Sequence, residues 1–134
     1  MTYKELNEVV QNKLTKVYKD NQLFFAFNQE QLKEGRKENN ILKDVVLVSI
    51  GVGGCLPKEN MKSYTKDVAD LLKWRKEQMS RLGAQELENA IHYELSNFEC
   101  WYTGDISVVY GLFPEVAKAE IKKVYTKFAG VHIN

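Results

Sequence analysis

Cysteine, proline and histidine are scarce, two of each in 134 residues. Two cysteines, Cys55 and Cys100, cannot build a disulfide framework or a four-cysteine zinc site. No apolar run approaches the roughly 20 residues of a membrane helix. The opening residues, MTYKELNE, bring acidic groups early and contain no apolar signal core, which predicts a protein that is not secreted. Both cysteines are then expected reduced, in the cytoplasm. Charge of one sign is also lacking: the formal net charge is +1, which argues against a protein built mainly to coat nucleic acid. What is present is 44% hydrophobic and 28% charged residues, the balance of a soluble globular chain. At this length one domain, 1–134, is expected.

The periodicity predicts a mostly helical α+β fold. Leu6, Val9, Val10, Leu14, Val17 and Tyr18 recur at three- and four-residue spacing, predicting a helix from about Thr2 to Lys19. Leu23–Phe27 is short, aromatic and β-prone. Asn28 with Gln31 forms a capping-box pattern ahead of a helix from Gln29 to about Lys37, whose end Gly35 weakens. Val45–Ile50 is continuously apolar and β-branched, predicting a central strand buried on both faces and paired with Leu23–Phe27 in a two- or three-stranded sheet. Further helices are expected over about Lys58–Leu82, Gln85–Tyr102 and Glu115–Phe128, broken at Gly83 and at Thr103–Asp105. Gly130 reads as the C′ residue of the last helix.

Three blocks carry a resemblance: LFFAFNQEQLKEG at 23–35, VSIGVGGCLPKE at 48–59 and HYELSNFE at 92–99. Together they resemble a group of small uncharacterised proteins of bacteriophages and mobile elements, over roughly the first 100 residues. The resemblance implies a phage accessory role, countering host defence among the options, and attaches no chemistry to any residue. It also implies an aromatic or aliphatic residue after Gly54, where Cys55 stands, which counts against Cys55 as a nucleophile.

Several residue sets invite chemistry. Gly51, Gly53 and Gly54 follow a strand, and their N–H groups form an anion nest if a helix starts just beyond, with Lys58 adding charge. The simpler reading is a tight strand-to-helix turn with at least one glycine at positive φ. Cys55 with His92 has the composition of a nucleophile and base, without a local signature. Glu88, His92 and Glu99 fall within about 40° on one helical face, a carboxylate–imidazole–carboxylate stripe. Metal ligation there competes with a solvated helix side, which is favoured; the three are expected mostly exposed, with no metal and no cofactor.

Charge is segregated along the chain. Lys62, Lys66, Lys73, Arg75, Lys76 and Arg81 dominate 62–81, residues 84–105 carry five acids and no Lys or Arg, and Lys118, Lys122, Lys123 and Lys127 dominate 116–128. Lys66, Lys73, Trp74 and Lys76 lie off the apolar stripe and form the candidate interface. Arg75 and Glu94, by contrast, fall within the apolar arcs of the helices flanking Gly83. An antiparallel pairing of those helices brings the two to similar heights, predicting a partly buried ion pair at their seam.

The favoured reading is a non-enzymatic binding protein acting on a host protein or nucleoprotein complex. Membrane attachment is not expected, and direct nucleic-acid binding is not favoured. The alternatives are a small enzyme using Cys55 and His92 or the Glu88/His92/Glu99 stripe, and a binder of a small anion at Gly51–Gly54.

Overall fold

The apolar stripes and turn signals resolve into α1 (Tyr3–Asp20), β1 (Phe24–Phe25), α2 (Gln29–Glu38), β2 (Leu47–Gly51), β3 (Gly54–Pro57), α3 (Met61–Met79), α4 (Ala84–Asn97), α5 (Cys100–Thr103), α6 (Ser107–Tyr110) and α7 (Lys118–Ile133). Single 3-10 turns at Lys58–Asn60 and Glu115–Ala117 lead into α3 and α7. The computed structural model describes residues 1–133. Among them the fold is α+β and mostly helical, with one small antiparallel sheet of three strands, as the periodicity predicts. Contacts divide the chain into two compact units, residues 9–72 and residues 1–8 with 73–134.

In the unit of residues 9–72, Asn28 caps α2: its side chain accepts from the Gln31 amide at 2.8 Å, while the Gln31 side chain accepts from the Phe27 amide at 2.8 Å. Gly35 is buried inside α2 rather than weakening its end, because the Phe24 ring from β1 lies flat against it. A β-carbon at Gly35 would overlap that ring. Leu23, Phe24, Ile41, Leu56 and Leu71 form the buried core.

The sheet order is β1-β3-β2, both pairings antiparallel. This corrects the expected sheet: β2 is an edge strand, and the central strand is β3. Val46 is 63% exposed and Val48 half-buried, so the apolar 45–50 run is not a strand covered on both faces. The glycine loop is correspondingly a hairpin turn between β2 and β3, not a strand-to-helix turn. Gly51 and Gly53 take positive φ, +91° and +78°, where at least one glycine was expected to, and Val52 joins them at +52°. The left-handed run reverses the chain within two residues, and only glycine takes such φ values without strain.

A polar cluster holds the turn between α1 and β1. Asn21, 1% exposed, donates from Nδ2 to the Val17 carbonyl and to Asp67 Oδ2, both at 2.9 Å. Asn60 Nδ2 donates to the Asn21 carbonyl at 3.0 Å. A buried amide is tolerated where its donors are satisfied, as here.

In the other unit, α4 packs against α7, α5 and α6. Leu6, Ile91, Leu95, Val109, Phe113, Ile121 and Val124 are among its fully buried side chains. The expected 85–102 helix is interrupted: α4 ends at Asn97, Glu99 adopts φ +56°, and α5 restarts at Cys100. This break turns Trp101 inward, where its ring stacks on Tyr125 at 5.6 Å and its Nε1 donates to Ser96 Oγ at 2.9 Å. Gly130 lies within α7, which runs on to Ile133, so it is not a C′ residue.

Candidate binding groove

The segment entering β2 is fixed from below by one side chain. Arg36 of α2 donates from Nη1 to the Leu42 carbonyl at 2.8 Å and to the Val45 carbonyl at 3.0 Å. Val45 and Val46 are thereby held beside the first turns of α3. Together they line an open groove of about 930 Å³. Its floor is apolar: Val46, Met61, which is 37% exposed, and Ala69. Met61, Thr65 and Ala69 follow at four-residue spacing and so line one face of α3. Leu72, 53% exposed, comes three residues further along the same helix.

Lys58, Lys62 and Lys66 line the same groove, with Glu59 the one acidic residue in its lining. Lys66 is bonded to Asp70 at 2.9 Å, but both side chains are largely exposed, and such a pair is readily exchanged for another. The hydrogen bond that Lys66 donates to Asp70 holds its ammonium above its ordinary pKa.

By sequence, Lys58 falls with the glycine loop and Lys66 with the charged interface face. The structure brings them into one groove. Gly51, Gly53 and Gly54 lie elsewhere, since Lys58 follows the opposite end of β3, about 13 Å of extended chain from the hairpin. No helix begins at that loop, so the dipole argument for an anion nest there is removed. Lys73 and Lys76 are exposed in the last turns of α3, and Trp74 is half-buried. Val46 and Met61 were missed because continuous apolarity assigned the first to a buried strand and helical periodicity assigned the second to a buried face.

The other candidates separate. Cys55 sits in β3, its Sγ donating to the Phe24 carbonyl at 3.6 Å, and burial pushes its thiol above the ordinary range, the Arg36 charge only partly offsetting this. A nucleophilic thiol needs the opposite shift. Alkylation of Cys55 by iodoacetamide at neutral pH is expected to run several-fold slower than that of a free thiol; an equal or faster rate, read by mass spectrometry of the Cys55 peptide, would contradict the burial argument. The Glu88/His92/Glu99 stripe is dismantled by the break at Glu99. Glu88, half-buried, bonds Lys127 at 2.9 Å. His92, also half-buried, meets the Phe128 ring edge-on at 4.9 Å and Trp101 at 5.5 Å. Only Glu99 is exposed, as expected of all three. Among the described residues no three His, Cys, Asp or Glu side chains are arranged to hold a metal ion.

Arg75 and Glu94 do converge, but not as the direct ion pair expected. The Tyr3 hydroxyl stands between them: Arg75 Nη2 donates to it at 2.8 Å and it donates to Glu94 Oε2 at 3.2 Å. Arg75 Nη1 also donates to the Leu112 carbonyl at 2.6 Å, and the Tyr3 amide donates to Glu86 Oε1 at 2.7 Å. Burial is the main cause of the raised Glu94 pKa, Tyr3 and Arg75 opposing it. Burial likewise pushes the Tyr3 phenol up to about 12, with Arg75 lowering it and Glu94 raising it. Tyr3 is protonated more readily in the folded chain than in the unfolded one. Its contribution to stability is therefore complete below pH 10 and lost as pH rises from 10.0 towards 12. Tyr3→Phe is expected to remove this alkaline slope from urea-melt stabilities, and an unchanged slope would contradict it.

Compared with known proteins, the chain finds no match among curated proteins and none among solved structures. No helix of the described residues is long and apolar enough to cross a membrane. A family model matches residues 6–129, and with that span the chain belongs to the family of unknown function DUF7659.

Proposed function

We propose that this protein is a non-enzymatic binding protein whose groove, floored by Val46, Met61 and Ala69, takes a protein partner. The carrying observation is that groove itself, an apolar floor left open to solvent under Lys58, Lys62 and Lys66. Exposed apolar surface rimmed by charge is the ordinary signature of an interaction site. The resemblance to bacteriophage and mobile-element proteins supplies the setting of this proposal, an accessory or anti-defence role directed at a host macromolecule. The enzymatic alternative loses its support in the raised Cys55 thiol and the dispersal of the Glu88/His92/Glu99 stripe.

The test is capture from a bacterial host lysate by the full chain and by Val46→Asp. Val46 is exposed, so the substitution is expected to leave the thermal melt unchanged. A carboxylate on the groove floor should weaken the captured partner tenfold or more, about 1.4 kcal/mol. A partner recovered equally by both chains would place the interface elsewhere.

A further inference from the structure

We propose that the partner enters the groove as an extended acidic segment that adds a fourth strand to the outer edge of β2 and sets its carboxylates over Lys58, Lys62 and Lys66. The inference rests on the groove reading and adds the partner's conformation and charge. Its first support is the ladder. The Lys58 amide donates to the Val46 carbonyl at 2.9 Å, and the register continues as Val48 opposite Leu56. In an antiparallel pair the residues alternate in the direction of their backbone groups. Val46 and Val48 therefore turn theirs towards β3, and Leu47 and Ser49 turn theirs outward. Pro57, with no N–H to give, stands opposite Leu47, at the position where β2 asks for no bond.

The outer edge of β2 has no strand beside it among the described residues, because the sheet ends there. It is regular from Leu47 to Ser49 and irregular between Ser49 and Gly51, where the pairing slips. The Val45 amide and carbonyl are already held by the Leu42 carbonyl and by Arg36, so an added strand runs alongside residues 46–49, about four residues and roughly 13 Å. Strand addition draws affinity from main-chain bonds and specificity from alternate side chains. Here the alternate side chains share the face of Val46, with Lys58 across it on the β3 side and Lys62 and Lys66 lining the same groove, and cationic tips favour carboxylates reaching over Val46.

The same charges argue against a second copy of this chain. Two β2 edges pairing about a two-fold axis would bring two sets of Lys58, Lys62 and Lys66 together, against Glu59 and the Lys66-bound Asp70 of each copy. Lysines beside an open edge are a usual guard against self-pairing. An acidic segment converts that guard into attraction.

The experiment titrates the full 15N-labelled chain with three synthetic octapeptides: alternating valine and glutamate, the same peptide N-methylated on its pairing edge, and alternating valine and lysine. The expected result is binding of the unmodified acidic peptide, with amide exchange at Leu47 and Ser49 slowed tenfold or more at saturation. The N-methylated peptide should bind at least tenfold more weakly, and the lysine peptide should not bind. Equal binding of the N-methylated peptide, or binding without protection of Leu47 and Ser49, would overturn strand addition while leaving the groove reading intact. No binding of the acidic peptide would also overturn it, whereas the groove reading falls only if the natural partner is indifferent to Val46→Asp.

Discussion

Replacing Arg75 with methionine is expected to destabilise the protein by roughly 3 kcal/mol at neutral pH, the low end of the cost of breaking a buried ion-paired network. Methionine keeps most of the packing volume, so the loss reports charge and hydrogen bonding. Without the guanidinium, the Leu112 carbonyl loses its 2.6 Å donor and the Tyr3 hydroxyl loses its own. Glu94, 7% exposed, is left with the Tyr3 hydroxyl bond and no cation nearby to oppose its desolvation. Two comparisons isolate the cause. Glu94→Gln added to Arg75→Met should recover part of the loss, because the buried charge disappears with its partner. Lower pH should also shrink the deficit. Glu94 binds its proton more tightly in the folded chain, so it stabilises the fold below its unfolded value near 4.5 and loses that contribution as pH rises through its raised folded value. Removing Arg75 raises that folded value further and widens the window. Equilibrium urea melts at about pH 4 and pH 7 would show this; a deficit independent of pH would contradict a role for Glu94.

Gly35→Ala is expected to destabilise by about 1–3 kcal/mol, the usual cost of overpacking. Helix propensity alone predicts the reverse, a gain of about 1 kcal/mol for alanine over glycine in a helix interior. The sign is decided by Phe24, whose ring atoms Cδ2 and Cε2 occupy the space a β-carbon would need, with Cγ 2.9 Å from it. Phe24 is buried and the ring is not the far end of a flexible chain, so it cannot move aside cheaply. Phe24→Leu in the alanine background should restore part of the lost stability, measured by the same melts. A more stable Gly35→Ala protein would show that the ring and the helix do not meet as described.

The positions of α1, α2 and α3 were legible because periodicity and capping are local, whereas the break at Glu99 and the continuation of α7 past Gly130 were not. The Asn28–Gln31 box and the apolar stripe of α1 both stand where the residues predict. The sheet was misread for a physical reason. Continuous apolarity at 45–50 signals burial only when something covers both faces, and here the chain ends its sheet at β2 and opens a groove beside Val46. β3, with Gly54, Cys55 and Pro57 among its four residues, carries little intrinsic strand preference and is a strand by position, between two partners. The Arg75–Glu94 convergence was legible because two charges on apolar arcs require satisfaction. Its bridge was not, although Tyr3 sits three residues before Leu6 on the buried side of α1 and so carried a usable signal. The groove combines residues from a misassigned strand and from a helix face presumed covered, so no single local pattern marked it.

Hydrogen–deuterium exchange of the full chain, alone and with the captured partner, tests the groove most directly. New protection is expected to concentrate in residues 45–49 and 58–69, with the amides of 84–103 unchanged. Protection centred on 84–103, or a bound partner that leaves 45–49 exchanging as before, would contradict it.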